Sequence, residues 1–295
     1  MKLLILSIFV MANVFAFEFV PENADEKTPV VFVLHGCKQD AEEFINDNYL
    51  LEKANGRAAI YAPSQSRMQN IDHCWNWFLP MNQDRGSYSE TRKLLDGLKD
   101  FLQKNDLSTN PVYLMGFSAG AAQSMNFLAC YPEHFKGAVI HSGLAYKVSD
   151  KIWDINDVIA YGPKRPHKEL IEDFVKCSKN AESFLDKKIT VFHGTKDFRV
   201  NIKNFHALEV QLVESYDLRD DGRRNGSFSF TETNHVYSEN NYDYDIRSYK
   251  SGNVTLDFYE VDGLQHDWSG GLERRNRNDP NGISATDVFL KSIGL

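Results

Sequence analysis

Cysteine is scarce in this chain, and metal-type spacing is missing altogether. The four cysteines, Cys37, Cys74, Cys130 and Cys177, include no C-x-x-C pair, which removes the zinc-finger and thioredoxin classes. A basic excess is also absent. Lys and Arg number 33 against 41 Asp and Glu, a net charge of −8, so neither nucleic acid nor an anionic membrane is an expected partner. Beyond the first 16 residues no apolar run approaches the ~20 residues of a spanning helix. There is no internal repeat, no low-complexity tract and no Pro/Ser/Thr-rich linker to a second module. What remains, 42% hydrophobic and 25% charged over 295 residues, is the composition of a globular protein with material for a sizeable core.

The N-terminus reads MKLLILSIFVMANVFA: one lysine, an apolar stretch, then Val14-Phe15-Ala16. Small residues at −3 and −1 fit a signal peptide over 1–16, cleaved after Ala16, and place the mature chain at 17–295 outside the cytoplasm. A buried first strand or a short membrane anchor is the plainer reading of the same run. An even cysteine count behind an export signal implies two disulfides. Spacing alone leaves all three pairings open.

Strands are expected at Pro29–Leu34, Arg57–Ala62, Pro111–Met115, Gly137–Ile140, Ile189–Phe192 and Val254–Val261. Helical periodicity covers 41–55, Ser87–Lys104, the stretch after Ser118, Ile202–Glu214 and Ser284–Ile293. Continuous apolar strands alternating with helices imply one α/β domain, a mostly parallel sheet covered on both faces. The polar stretch 217–249 reads as an insertion with a hairpin or long loop.

The segment LMGFSAGAAQ (114–123) puts Ser118 between glycines, at a strand-to-helix corner. This is the context in which G-x-S-x-G presents a nucleophile, although a tightly packed Gly/Ser turn would look similar. A serine needs a base, and the base needs an orienting acid. In such sheets the order is serine, acid, histidine. Asp197 follows the strand ending at Phe192, and His266 follows the strand ending at Val261. Asp262 and Asp267 are rival acids but lie too near His266. His193 and His141 read as strand-end packing. His73, His134, His167, His206 and His235 lack the post-strand context. An oxyanion hole needs two N–H donors. Ala119, after the nucleophile, supplies one, and the HGC turn at 35–37 offers the other at Cys37, unless it is an ordinary strand end.

VFVLHGCKQDAEEF, HCWNWF, GFSAGAAQSMNFLACYPEHFKGAVIHSGLAY and GLQHDWSGG together resemble the secreted polyhydroxybutyrate depolymerase and feruloyl esterase-like group of α/β-hydrolases. The resemblance runs from Pro29 to the C-terminus and implies the α/β-hydrolase fold with Ser118, Asp197 and His266 as its triad. It also implies pairing of Cys37 with Cys74, which leaves Cys130 with Cys177. The chain departs from the family in two places. HGTKD lacks the first aspartate of HGDxD, and Ala121 replaces a glycine. Residues 216–241 match poorly.

Trp75, Trp77, Tyr146 and Trp268 fall in loops expected around the site. They read either as hydrophobic support or as an aromatic wall for substrate. The expected function is an exported serine ester hydrolase on hydroxyalkanoate esters, acting as a monomer without cofactor or metal. A feruloyl or acetyl esterase on plant polysaccharide is the rival enzyme. An acyltransferase, or a non-catalytic binding protein on the same fold, comes next.

Overall fold

The computed structural model describes residues 15–295 apart from 150, 179, 181, 240 and 273–276. The expected signal peptide lies outside the described residues up to position 14. Residues Ala16–Phe19 form β1, an antiparallel edge strand on β3 (Ala59–Pro63). Cleavage after Ala16 would leave Phe17–Phe19 of that strand in place.

The centre of the sheet is parallel: β3, β2 (Val30–Leu34), β4 (Val112–Phe117), β5 (Gly137–His141), β6 (Lys188–Gly194) and β9 (Val254–Val261), adjacent in that order. These are the continuous apolar runs seen in sequence, and burial on both faces is why they do not alternate. In β2, Val30, Phe32 and Leu34 face one core and Val31 and Val33 the other.

Helices α1 (Ala41–Asp47), α2 (Leu50–Ala54) and α8 (Ala285–Ser292) cover the second face. The first face carries α3 (Glu90–Lys104), α4 (Ala119–Cys130), α5 (Ile155–Tyr161), α6 (His167–Cys177) and α7 (Lys203–Asp221). The expected helix 41–55 is broken at Tyr49, whose φ is +59°, with Asn48 Oδ1 accepting the Leu50 N–H at 3.1 Å. Helix α3 starts at Glu90 rather than Ser87 because Ser89 caps it, accepting the Arg92 N–H at 3.0 Å. Helix α7 runs on to Asp221 and stops at left-handed Gly222.

The polar stretch 217–249 is a hairpin, but one that extends the main sheet. β7 (Ser229–Val236) pairs with β8 (Tyr244–Ser251), and β8 pairs antiparallel with β9 along its whole length. Its polar residues are matched across the sheet. Arg247 meets Glu209 of α7 at 2.9 Å and Glu260 of β9 at 3.0 Å, and Ser248 donates to Asp257 at 2.6 Å.

Two disulfides, Cys37–Cys74 and Cys130–Cys177, account for all four cysteines. The second ties the last residue of α4 to the last residue of α6. Among the described residues no helix is long and apolar enough to cross a membrane. Replacing Cys130 by Ala together with Cys177 by Ser opens a 47-residue loop in the unfolded chain and should cost about 2–4 kcal/mol, read by urea denaturation. Catalytic constants should change far less, because the bridge lies at the C-terminal ends of both helices, away from Ser118.

Candidate active site

Strand β4 ends at Phe117 and α4 begins at Ala119, so the chain must turn within Ser118. That residue has φ 53° and ψ −115°, a sparsely populated conformation for a side-chain-bearing residue. Its N–H is tied to the His141 carbonyl at 2.9 Å, and its own carbonyl accepts from Ala122. The flanking glycines supply room, since neither has a positive φ. A Cβ on Gly116 would stand 2.6 Å from Ser124 Oγ, and one on Gly120 would collide with the Leu34 carbonyl at the end of β2. The first turn of α4 is thereby seated directly on β2. Ser118 is only 9% exposed.

Asp197 and His266 converge on this corner from β6 and β9. His266 Nδ1–H donates to Asp197 Oδ2 at 2.7 Å, which leaves Nε2 to accept from Ser118 Oγ at 2.9 Å. Asp197 Oδ1 accepts the N–H groups of Arg199 and Val200 at 2.9 and 2.8 Å. Burial works against its charged form, but the hydrogen bond and charge of His266, with His193, outweigh it. The carboxyl is held below the ordinary aspartate value. Of the rival acids, Asp262 accepts from Thr195 Oγ1 at 2.8 Å instead, while Asp267 faces a neighbouring cleft.

The two histidines read as strand-end packing brace this relay. His193 Nε2–H donates to the Val200 carbonyl at 2.8 Å and lies 3.5 Å from Asp197 Oδ2. His141 Nε2 accepts the Ser269 N–H at 3.0 Å, three residues past His266, and its ring stacks on Trp268 at 5.0 Å. Burial pushes both pKa values down and keeps the rings neutral. The one sequence signal for these roles is their position at or one residue before the C-terminal end of a central strand.

The HGC turn is pinned from several sides. Gly36 N–H is taken by Gln39 Oε1 and Lys38 N–H by the Asp72 carbonyl. Among the described residues the Cys37 N–H has no protein acceptor, and Ala119 N–H, first in α4, is free by helix geometry. These are the two donors expected of an oxyanion hole. The Cys37–Cys74 bridge holds this turn to the CWNW loop. Trp75 Nε1–H donates to the His35 carbonyl at 2.9 Å, and His35 Nε2 accepts the Gln65 N–H at 3.1 Å. Glu90, the first residue of α3, anchors that loop by accepting from Gln65 Nε2 and from both N–H groups of Asn76.

The aromatic wall is corrected by burial. Trp75, Trp77, Tyr146 and Trp268 are all 5% exposed or less. Each is held from within: Tyr146 OH donates to the Gln83 carbonyl at 2.5 Å, Trp268 Nε1–H to Thr286 at 3.2 Å, and the Trp77 carbonyl accepts from Asn126. They support the loops. The exposed ring beside the triad is Phe198, which sequence reading passed over. It belongs to a cleft of about 560 Å³ that opens off His266 and is lined also by Lys38, Arg199, Asp267 and Arg277.

A family profile described as Esterase PHB depolymerase matches residues 13–229. The chain belongs to this family. It is 24% identical over 208 residues to poly(3-hydroxyalkanoate) depolymerase C of Paucimonas lemoignei, covering 70% of this chain and 49% of that one. It is 27% identical over 192 residues to feruloyl esterase B of Thermothelomyces thermophilus, covering 63% and 64%. The chain thus spans about half to two thirds of the length of these curated relatives. Among solved structures, the acetyl xylan esterase from Aspergillus awamori superposes with a TM-score of 0.73 over 95% of this chain and 93% of that one, at 15% identity. The fold is that of the α/β-hydrolases.

Two outcomes follow from the pinned turn. Cys74→Ser should lower kcat for a small ester by about 10–10²-fold, less than outright loss of an oxyanion donor, with a smaller change in KM. Stability should also depend on pH through His35. Burial holds its pKa at about 4, against 6.5 when exposed. A depressed folded-state value means that its contribution is complete above pH 6.5 and is lost as pH falls toward 4. The urea midpoint should therefore drop between pH 7 and pH 4.5, and His35→Gln should flatten that slope.

Proposed function

We propose that this protein is an exported serine carboxylic-ester hydrolase working through an acyl-enzyme. The observation that carries this reading is the unbroken Asp197–His266–Ser118 relay, with both hydrogen bonds formed. Ser118 Oγ attacks the ester carbonyl as His266 Nε2 takes its proton. Asp197 keeps the imidazole in the Nδ1–H tautomer and stabilises the imidazolium. The tetrahedral oxyanion sits between the N–H groups of Cys37 and Ala119. On collapse His266 returns the proton to the leaving alkoxide. Water then repeats the sequence on the acyl-enzyme, releasing acid and Ser118.

The substrate class is an ester of a hydroxyalkanoate, most simply a short oligomer. The similarity to a poly(3-hydroxyalkanoate) depolymerase supports it, as does a polar cleft at His266, which suits repeating ester groups better than a long alkyl chain. That polar lining equally suits sugar hydroxyls, so an acylated plant polysaccharide is the second reading. Export is supported by the leader-like N-terminus and the two disulfides.

Ser118→Ala should abolish fluorophosphonate labelling and lower kcat for p-nitrophenyl acetate by several orders of magnitude, with the folded circular dichroism spectrum intact. Asp197→Asn should cost roughly 10⁴ in kcat by disturbing the His266 tautomer. Ester hydrolysis retained by a pure Ser118→Ala sample would remove the assignment.

A further inference from the structure

The cleft beside His266 carries more positive charge than its neighbours neutralise. Lys38, Arg199 and Arg277 line it against Glu43 and Asp267. Lys38 is engaged with Asp72 at 3.7 Å. Among the described residues the guanidinium groups of Arg199 and Arg277 make no ion pair and no hydrogen bond. Arg199 lies only near the Phe198 ring, 5.8 Å from its centroid. Two other half-buried arginines are each bound by two carboxylates, Arg165 by Glu169 and Asp173 and Arg247 by Glu209 and Glu260, and Arg219 donates to the Ser178 carbonyl.

Arg277 is also held in place. It has φ +88°, costly for a residue with a side chain. Its carbonyl accepts the Trp268 N–H at 2.7 Å, and the next residue, Asn278, pairs with Trp268 in the short parallel ladder of β10 (Trp268–Ser269) and β11 (Asn278–Asp279). The ladder begins two residues past His266. Burial, then the charge of Arg199, push the Arg277 guanidinium down from its ordinary value, and the charges of Asp267 and Asp197 offset this only in part. Asp267 shares the cleft but makes no ion pair with the guanidinium.

The position of the cleft assigns it to one half of the substrate. His266 must deliver a proton to the leaving oxygen, so the alcohol component lies on the His266 side. Lys38 and Gln39, which directly follow Cys37, line the same cleft, so it runs from His266 to the edge of that turn. We propose that Arg277, with Arg199 beside it, binds a carboxylate carried by the alcohol half of the ester. This deepens the esterase reading and rests on it. The preferred substrate is then a hydroxy-acid ester with a free acid end, such as a hydroxyalkanoate oligomer cut near its carboxyl terminus. A planar guanidinium grips a carboxylate through two parallel hydrogen bonds. A neutral acylated sugar can take hydrogen bonds from these guanidinium groups but brings no counter-charge to them.

The test compares the 3-hydroxybutyrate dimer as free acid with its terminal carboxamide, a neutral isostere, following cleavage of the internal ester by chromatography. In wild type, kcat/KM for the acid should exceed that for the amide by about 10–100-fold, through KM, as expected for a charge-assisted contact. Added salt should narrow the ratio. Arg277→Gln should bring it near one, Arg277→Glu should invert it, and Arg199→Gln should reduce it in part. A wild-type ratio of one, or a ratio unmoved by Arg277→Gln, would overturn the carboxylate site. If Arg277→Gln does not fold, the salt dependence and Arg199→Gln decide in the same way. Ser118-dependent hydrolysis of p-nitrophenyl acetate by the same wild-type preparation separates the two readings. Its absence overturns the esterase, while its presence with a ratio of one overturns only the carboxylate site.

Discussion

The contact between Gly120 and the Leu34 carbonyl is the constraint on which the site depends. It lets the first turn of α4 sit directly on the end of β2, with no space for one further carbon atom. Three things follow from that one approach. Ser118 is forced into its unusual backbone conformation, with the hydroxyl thrown clear of strand and helix. The free N–H of Ala119 is brought beside the turn that follows β2. The Cys37 N–H, on that turn, comes to the same place. Ser118 and the two N–H groups proposed as oxyanion donors therefore rest on backbone packing at the centre of the sheet, where displacement is most costly.

Around this corner the protein uses neutral imidazoles as struts. His35, His141 and His193 are all buried, and each holds a backbone group of a site loop through a ring nitrogen whose protonation that partner fixes. Imidazole suits the task because it offers one donor and one acceptor on a rigid ring. His35 and His141 must stay uncharged because each accepts an N–H at Nε2, and burial keeps all three rings neutral at neutral pH. The cost is a site whose scaffold weakens on acidification even though its charged acid, Asp197, is stabilised against protonation.

Much of this was legible in sequence because parallel strands buried on both faces leave continuous apolar runs, and functional residues sit just past their ends. Ser118, Asp197 and His266 were each located by that rule, and the structure brings them into one hydrogen-bonded chain. Other features followed no such rule. A hairpin or long loop was legible in 217–249, but its place as an extension of the main sheet was not, because its polar residues are paired with α7 and β9, contacts distant in sequence. Trp75 and Trp268 looked like ligand surface because loop aromatics often are. Their burial depends on the Trp75 hydrogen bond to His35 and on the stack with His141, neither of which has a local signature. Arg277 was invisible for the same reason, since only the pairing of β10 with β11 carries it back to His266.

The anchored turn at Cys37 and the charged cleft off His266 are built on opposite principles. A disulfide, an indole hydrogen bond and a buried carboxylate hold the Cys37 turn, and the aromatic side chains there are fully enclosed. In the proposed reaction an oxyanion donor on this turn would face one invariant group, the tetrahedral carbon and its oxygen, so rigidity would serve it. On the His266 side the lining is exposed and charged, with Phe198 and Arg199 on a short loop directly after Asp197. That loop is fixed at its root by the two N–H groups that Asp197 accepts, while its tip projects into the cleft. A leaving alcohol varies from one ester to another, whereas the charge developing at the carbonyl does not. An arrangement that freezes the second and leaves the first to surface side chains allows substrate choice to change through residues such as Phe198, Arg199 and Arg277 without disturbing the relay.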